Sequence, residues 1–413
     1  MDSRILPRMK GAPGILVAIL AALLLTPSLV SGQSIAKSEI KFGPGGHATI
    51  PFDLRNQHLW IRGRLNGSDS IWIVVDTGAS ASVMDEGTAR RLSIPLTRGF
   101  QAHGAAGMQR GYAAESVTVE LPGLKLHRPV IGTLDLSGIT QSGGRPMQLI
   151  LGYELFESSV VRFDYARGLM EVWAPGRAPK DLPGTKVPMT LVQNHPYVEA
   201  TLHIRGRPAL QGRFVIDSGS SGALFIAPEI TAEENLVSAF PRTLVAIGRG
   251  VGGEVRNREG RADSLSIGGL TFKRPVVSMP GPSQGRISAV GSIGNIGGQI
   301  LGRCAVTFDY AGKSIYLEPG PEFDRPFEGD MSGASFARTQ EGLVVRWVNP
   351  DSPAAQAGLV VGDKITQVDD QPANTIDPSA LRLQMREEGR TVRLRIRRGS
   401  ETFEKAFTLR RLI

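Results

Sequence analysis

The feature that most constrains this 413-residue chain is a short acidic motif that occurs twice. One apolar stretch ends in Asp76-Thr77-Gly78, and a second ends in Asp217-Ser218-Gly219. An unpaired carboxylate at the end of a buried strand is costly, so this position needs an explanation. From average residue usage, an Asp-Ser/Thr-Gly triplet arises by chance about 0.2 times in a chain of this length. Two copies in the same local setting therefore indicate one site built from two halves.

The sequence around the motif is repeated as well. HLWIRGRLNGSDSIWIVVDTGAS (58–80) is matched by YVEATLHIRGRPALQGRFVIDSGSS (197–221), and VRFDYARGLMEVWAPG (161–176) is matched by VTFDYAGKSIYLEPG (306–320). The copies are offset by 141 residues at the acidic motif and by 145 residues at FDY. Alternating strand patterns with 50 glycines and 27 prolines predict a mainly β fold, made of two lobes by internal duplication.

Each copy also carries a glycine after a downstream apolar stretch. Gly152 precedes the aspartate of the first FDY by 12 residues, and the same distance in the second copy gives Gly297. This spacing pairs Gly152 with Gly297 and predicts a short helix after each, while Gly302 remains the alternative partner. The glycine-rich stretches HGAAGMQRGY (103–112) and GRGVGGEVR (248–256) predict the tips of two β-hairpins.

The residue types of the motif fit acid–base chemistry on an amide. Two carboxyl groups held close together share one proton, so one activates a water molecule while the other protonates the substrate. A glycine after the hydroxyl residue allows close backbone approach. The hydroxyl groups of Thr77 and Ser218 are placed to hydrogen-bond across a pseudo-twofold axis.

Over residues 45–320 these motifs resemble the pepsin-like and retropepsin-like aspartic proteases. The resemblance implies two β-rich lobes around a cleft, Asp76 and Asp217 as the catalytic pair, and flap hairpins that close on an extended peptide. It implies neither a cofactor nor a metal. Ala79 follows the first motif where Ser220 follows the second, which leaves the first carboxylate one hydroxyl donor short. The implied loop-supporting residues are Thr77, Gly78, Ser218, Gly219, Gly152 and Gly297, and the flap candidates are Gly104, Gly107, Tyr112, Gly250 and Gly252.

Residues 334–413 resemble bacterial PDZ domains, chiefly through GLVVRWVNPDSPAAQAGLVVGDKITQVDDQPA (342–373). The resemblance implies that an extended peptide, a C-terminus among the options, binds by strand addition beside a helix. The alternative is a domain that only packs against the lobes. The groove is predicted from strand residues Gly342, Leu343, Val344 and Val345, with Leu381 and Met385 on a helix over 378–388.

Residues 1–32 have the layout of a secretory signal peptide, with basic residues, an apolar run over 14–25 and then small residues. We therefore expect a periplasmic or secreted protein; an uncleaved segment that anchors the chain in a membrane is the alternative. The predicted organisation is a signal peptide (1–32), a first protease lobe (33–180), a second lobe (181–320), a linker (321–333) and a PDZ domain (334–413).

Composition excludes several other classes of protein. The single Cys304 excludes an internal disulfide framework, and the six histidines do not cluster as metal ligands would. The net charge of +8 is dispersed without interleaved aromatic residues, so no nucleic-acid partner is expected. The expected partners are peptide or protein substrates. A non-catalytic bilobal peptide-binding protein remains open, as does a PDZ-bearing serine protease based on DSGSSG, which lacks a positioned histidine and aspartate.

Overall fold

The computed structural model describes residues 38–281 and 291–413, together with the short strands Val17–Ile19 and Leu24–Leu25. Apart from these two strands, the predicted signal peptide lies outside the described residues. The described strands form four β-sheets. Within this described part, no helix has the length and apolarity needed to cross a membrane.

The first lobe contains three short helices and strands of two sheets, a ten-stranded sheet and a six-stranded sheet that it shares with the second lobe. Its helices are Glu86–Arg91, Ser137–Gly143 and Tyr153–Glu157. Its strands are Glu39–Phe42, His47–Pro51, Asp53–Arg55, His58–Leu65, Ile71–Val75, Val83–Asp85, Leu96–Gly104, Gly107–Leu121, Leu124–Leu134, Leu149–Leu151, Val160–Asp164 and Leu169–Trp173.

The second lobe has the same construction. Its helices are Pro228–Glu233, the 3₁₀ turn Leu236–Ala239 and Gly298–Leu301. Its strands are Thr185–Pro188, Thr190–Val192, His195–His203, Leu210–Ile216, Leu224–Ile226, Leu244–Gly250, Gly253–Arg261, Ser264–Ile267, Leu270–Lys273, Val276–Pro280, Gly294–Ile296, Cys304–Asp309 and Ser314–Pro319.

The strand order of the two lobe sheets confirms the duplication. In each lobe the strand that precedes the acidic motif pairs in parallel with a three-residue strand, Ile71–Val75 with Leu149–Leu151 and Leu210–Ile216 with Gly294–Ile296. A second three-residue strand then connects this pair to a long hairpin, in the same order in both lobes. The two acidic motifs therefore leave equivalent points of two equivalent sheets.

A six-stranded sheet joins the lobes beneath the acidic motifs. Its central strands are the two FDY segments, Val160–Asp164 and Cys304–Asp309, which pair antiparallel. Phe163 and Phe308 pack there with ring centroids 5.3 Å apart. One hydrophobic core runs through both lobes, so the pair of lobes forms a single folding unit.

The C-terminal domain has its own hydrophobic core. Its helices are Pro353–Gln356 and Pro378–Gln384, and its strands are Ala334–Thr339, Gly342–Val348, Lys364–Val368, Gln371–Pro372, Thr391–Arg398 and Glu401–Thr408. The longer helix begins at an N-cap, Asp377, whose carboxylate accepts from the N–H groups of Ser379 and Ala380. It ends at Gln384, earlier than the predicted range of 378–388.

The structure contradicts the predicted peptide-binding strand of this domain. The residues Gly342, Leu343, Val344 and Val345 lie in the second strand of the sheet, between Ala334–Thr339 and Lys364–Val368. A strand with neighbours on both sides has no free hydrogen-bonding edge for an added peptide. The apolar run GLVV reflects burial in the core of the domain, where Leu343 and Val345 lie. The edge strand is instead Ala334–Thr339.

Candidate active site

The two aspartates lie where the parallel strand pairs end. The backbone N–H of Asp76 donates to the carbonyl of Leu151 at 2.9 Å, and the N–H of Asp217 donates to that of Ile296 at 2.9 Å. Both side chains are almost completely buried, with exposures of 2% and 0%. The duplicated sheets thus direct two carboxyl groups to one point between the lobes, where they hydrogen-bond to each other.

A crossed set of hydrogen bonds locks the loops 76–80 and 217–221, which we call the aspartate loops. The backbone N–H of Thr77 donates to Ser218 Oγ, and the N–H of Ser218 donates to Thr77 Oγ1, both at 3.0 Å. Each hydroxyl then donates to a carbonyl of the opposite lobe, Thr77 to Ile216 at 2.8 Å and Ser218 to Val75 at 3.0 Å. Both hydroxyl groups are thereby committed to holding the lobes together.

The glycine of each motif contacts both carboxyl groups. The N–H of Gly78 donates to Asp76 Oδ1 at 2.8 Å, and that of Gly219 donates to Asp217 Oδ1 at 2.9 Å. A Cβ on Gly78 would lie 2.5 Å from Asp217 Oδ1, and one on Gly219 would lie 2.3 Å from the carboxyl group of Asp76. Any larger residue would therefore push the two carboxyl groups apart.

The environment keeps protons on this pair at neutral pH. Burial raises the pKa of Asp76 from 3.8 to about 7, although the N–H of Gly78 acts in the opposite direction. Burial, followed by the charge of Asp76, raises the pKa of Asp217 well above its usual value. At neutral pH the pair therefore keeps at least one proton, which is shared between the two carboxyl groups.

The downstream glycines support the aspartate loops as their spacing indicates. Gly152 and Gly297 are the N-caps of the equivalent helices Tyr153–Glu157 and Gly298–Leu301, whereas Gly302 is a C-cap. A Cβ would lie 2.7 Å from the carbonyl of Ala79 at Gly152, and 2.5 Å from that of Gly222 at Gly297. Only glycine allows this approach to the loops.

One residue that sequence reasoning missed distinguishes the second carboxyl group. Asn295 Nδ2 donates to Asp217 Oδ2 at 2.6 Å, and the equivalent position of the first lobe is Ile150. By contrast, Ser220 Oγ is buried with no hydrogen-bond partner among the described residues. The expectation that a hydroxyl at 220 makes the carboxyl groups unequal is therefore wrong, and an amide at 295 has this effect. The sequence did contain a signal for this difference, because Asn295 is polar where the first repeat has Ile150.

Two long hairpins, one from each lobe, meet at their tips, where Val251 belongs to the same hydrophobic cluster as Ala79 of an aspartate loop. Flap 1 consists of Leu96–Gly104 and Gly107–Leu121, and flap 2 consists of Leu244–Gly250 and Gly253–Arg261. At their tips the N–H of Ala106 donates to the carbonyl of Val251 at 3.0 Å.

The predicted flap glycines lie at these tips, and two of them make close contact. A Cβ on Gly104 would lie 2.4 Å from Val251, and one on Gly252 would lie 2.7 Å from the N atom of Gly107. Gly250 ends the first strand of flap 2. Tyr112 lies farther down flap 1, where the guanidinium of Arg110 covers its ring at 5.3 Å.

Two family models match parts of this chain. A model of the family described as aspartyl protease matches residues 61–155 and 200–296, and a model described as PDZ domain matches residues 344–398. The chain belongs to the aspartyl protease family and carries a C-terminal PDZ domain. Among solved structures, the aspartic proteinase from Irpex lacteus is 13% identical, with a TM-score of 0.43 over 68% of this chain and 98% of that one. No curated protein matches the chain.

The PDZ domain of this protease contacts flap 2 directly. Asn349 Nδ2 donates to the carbonyl of Val245 at 2.9 Å, and the N–H of Val245 donates to Asn349 Oδ1 at 2.7 Å. The guanidinium of Arg256 lies 4.7 Å above the ring of Trp347. A buried side-chain amide thus pairs with the base of flap 2 as a neighbouring strand would.

The peptide groove of the PDZ domain faces the second lobe. Ala334, Ser335 and Phe336 of the edge strand line one cavity together with Leu381 and Met385. The predicted helix residues Leu381 and Met385 therefore lie at the groove, beside a different strand from the one expected. The lobe side of this cavity includes Ala246, Ile247, Glu259, Val276 and Ser278.

Among the described residues, no group of three or more His, Cys, Asp or Glu side chains is arranged to hold a metal ion.

Proposed function

We propose that the protease is an exported aspartic endopeptidase, in which Asp76 and Asp217 activate a water molecule to hydrolyse peptide bonds. The observation that carries this proposal is the pair of buried carboxyl groups, hydrogen-bonded to each other at the centre of crossed loops. Two such groups cannot both ionise comfortably, so together they supply one base and one acid.

The unequal surroundings assign the two roles. Asp76, whose charge raises the pKa of Asp217, takes a proton from the water molecule as the water oxygen attacks the carbonyl carbon of the substrate. Asp217 donates its proton to the carbonyl oxygen, which gives a neutral tetrahedral diol. The proton on Asp76 then passes to the amide nitrogen, the C–N bond breaks, and Asp217 takes back a proton from the diol. The N–H groups of Gly78 and Gly219 hold the carboxyl oxygens in place throughout.

The flaps support an internal segment of a polypeptide as the substrate. They meet tip to tip and the carboxyl groups are buried, so the flaps must separate before a peptide enters. Because one flap comes from each lobe, an extended chain between them has protein on both sides of the cleaved bond. This arrangement favours an endopeptidase over an enzyme that recognises chain termini.

The PDZ domain is proposed to bind a substrate or partner peptide along Ala334–Thr339. This strand has one neighbour in its sheet, and its groove contains the apolar side chains of Phe336, Leu381 and Met385. Strand addition supplies main-chain hydrogen bonds, and pockets beside the strand give specificity.

Export rests on the sequence of residues 1–32. The signal-peptide layout supports a periplasmic or secreted protease, and membrane anchoring by an uncleaved leader remains the alternative. N-terminal sequencing of the protein from fractionated cells tests this: a mature chain that begins after residue 32 outside the cytoplasm is expected, and a full-length chain in the cytosol would contradict export.

Proteolysis profiling of the mature protein tests the activity. The wild-type chain should cleave internal bonds of unstructured peptides, and Asp76→Asn should cleave none while remaining folded. A statine-type transition-state mimic should inhibit, whereas a serine-reactive reagent should not, because Ser218 Oγ is committed to Val75 and Thr77. A folded wild-type chain that binds peptides without cleaving them would support the non-catalytic alternative.

A further inference from the structure

Two buried histidines occupy equivalent positions beneath the aspartate loops. His58 and His195 are 2% and 0% exposed, and each begins the strand that pairs with the aspartate-bearing strand of its own lobe. Leu59 pairs with Val75 and Tyr197 with Val215. Continuing these registers places His58 across from Asp76 and His195 across from Asp217.

The turns before the two histidines are also equivalent. Asn56 and Gln57 have φ values of 51° and 64°, and Gln193 and Asn194 have φ values of 50° and 66°. Such left-handed pairs are uncommon outside glycine, so the same turn has been retained in both lobes. The second turn also crosses to the first lobe, where Asn194 Nδ2 donates to the carbonyl of Ser80 at 3.1 Å.

The His58 ring reaches across the axis between the lobes. Its Nε2 lies 2.9 Å from the carbonyl oxygen of Gly219, so this nitrogen must carry the proton and donate it. Gly219 is the residue whose N–H holds Asp217 and whose Cα lies against Asp76. Both ends of one glycine are therefore fixed, the N–H by Asp217 and the carbonyl by a residue of the other lobe.

His195 has the mirrored surroundings with looser geometry. Burial lowers the pKa of His195, and the backbone of Val192, Gln193 and Gly78 acts in the opposite direction. Neither ring nitrogen meets hydrogen-bond geometry with the described residues. Gly78 is the motif glycine of the opposite lobe. It is therefore the pseudo-twofold equivalent of Gly219, the glycine that His58 contacts.

We propose that His58 is a positioning residue of the carboxyl pair that holds the motif glycine of the opposite lobe, and that His195 occupies the equivalent place in the second lobe. This inference rests on the proposed proteolytic function. A neutral imidazole suits the position because it donates a hydrogen bond without adding charge next to the pair. A lysine or arginine there would favour ionisation of both carboxyl groups and remove the shared proton.

The test compares His58→Leu, which removes the donor, with His58→Gln, whose amide N–H can replace it. His203→Leu is the control, because His203 is exposed and lies at the far end of the strand His195–His203, outside the aspartate loops and both flaps. On a short unstructured peptide, His58→Leu should lower kcat about 10²-fold with KM within threefold, since a misplaced reacting group costs about this much. His58→Gln should recover most of the loss, and His203→Leu should stay within twofold of the wild type.

A readout independent of activity separates this proposal from the proposed function. In protein with ¹³C-labelled aspartate carboxyl groups, the titration of Asp76 and Asp217 should change in His58→Leu and return in His58→Gln. An inactive wild type would contradict the proposed function and leave this titration to decide the role of His58. Equal kcat and equal titration in wild type and His58→Leu would overturn the inference. If His58→Leu does not fold, the His58→Gln variant decides. A folded His58→Gln protein with the kcat of the wild type supports the inference. A folded His58→Gln protein that has lost kcat, but whose carboxyl groups titrate as in the wild type, overturns it.

Discussion

The pH dependence of folding stability tests the carboxyl pair without any substrate. In the folded chain the pKa of Asp76 is raised from 3.8 to about 7, and that of Asp217 is also raised. The unfolded chain releases these protons near pH 4, whereas the folded chain keeps them. Below pH 4 both states are protonated and the pair does not affect stability. As the pH rises towards 7, the free energy of unfolding should fall, because the folded state binds more protons.

The size of the effect follows from the pKa of Asp76. Each proton retained only by the folded state lowers the free energy of unfolding by about 1.4 kcal/mol per pH unit. Between pH 3.8 and about 7, one such proton therefore costs about 4 kcal/mol. Asp217 acts in the same direction. Replacing one aspartate by asparagine removes one titrating group and should stabilise the chain at pH 7 and above, but not at pH 4.

Urea unfolding between pH 4 and pH 8 measures this pH dependence in the wild type, Asp76→Asn, Asp217→Asn and the double variant. Burial also raises the pKa values of Glu259 and Asp330. Their contribution to the pH dependence of the free energy of unfolding cancels when a variant is compared with the wild type. Asp370→Asn is the control, because its carboxylate is 90% exposed. If the stability difference between Asp217→Asn and the wild type stays constant from pH 4 to pH 8, the two carboxyl groups do not share a proton.

Three further outcomes are expected. Activity should follow a bell-shaped dependence on pH. Replacing either Asp76 or Asp217 by Asn should abolish turnover about as completely as replacing both, because the effects of groups that act as a unit are non-additive. A half-active single variant would contradict the pairing. Asn295→Ile removes a hydrogen bond that lowers the pKa of Asp217, so the basic limb of the pH–activity profile should move to higher pH, and an unchanged limb would count against the assigned acid. In Asn349→Ala, Val245 loses both hydrogen bonds to the PDZ domain. The variant should therefore show a several-fold higher KM for a short peptide, little change in kcat and faster hydrogen exchange in flap 2. An unchanged exchange rate would show that the contact does not hold the flap.

The sequence predicts the parts of this protein that repeat. The duplicated motif, the strand patterns beside it and the constant distance to FDY were enough to expect two equivalent lobes and to pair Gly152 with Gly297 rather than Gly302. These features are local, and the second copy checks the first. The hairpin tips could be predicted for the same reason, since glycine-rich stretches recur between the motifs.

Contacts between the repeats were harder to predict. Asn56-Gln57-His58 and Gln193-Asn194-His195 are also a repeated signal, but their role depends on reaching the opposite lobe, and strand pattern alone does not give that direction. The PDZ strand was misassigned because GLVV is the more apolar run. High apolarity marks the interior of a sheet, whereas a strand that accepts a peptide must leave one edge unpaired, as the more polar ASFART (334–339) does.

The duplicated fold holds two identical aspartates, and the chemistry requires that they differ. The crossed hydroxyl groups, the motif glycines and the histidines are nearly symmetric, and a symmetric environment gives neither carboxyl group a preference for the proton. The asymmetry comes from positions that the repeat does not share. Asn295, opposite Ile150, lowers the pKa of Asp217 against the larger effects of burial and of the charge of Asp76, and a PDZ domain is bound to flap 2 at Val245. Since flap 2 and Asn295 belong to the same lobe, the second lobe carries both the proposed acid and the flap that the PDZ domain contacts.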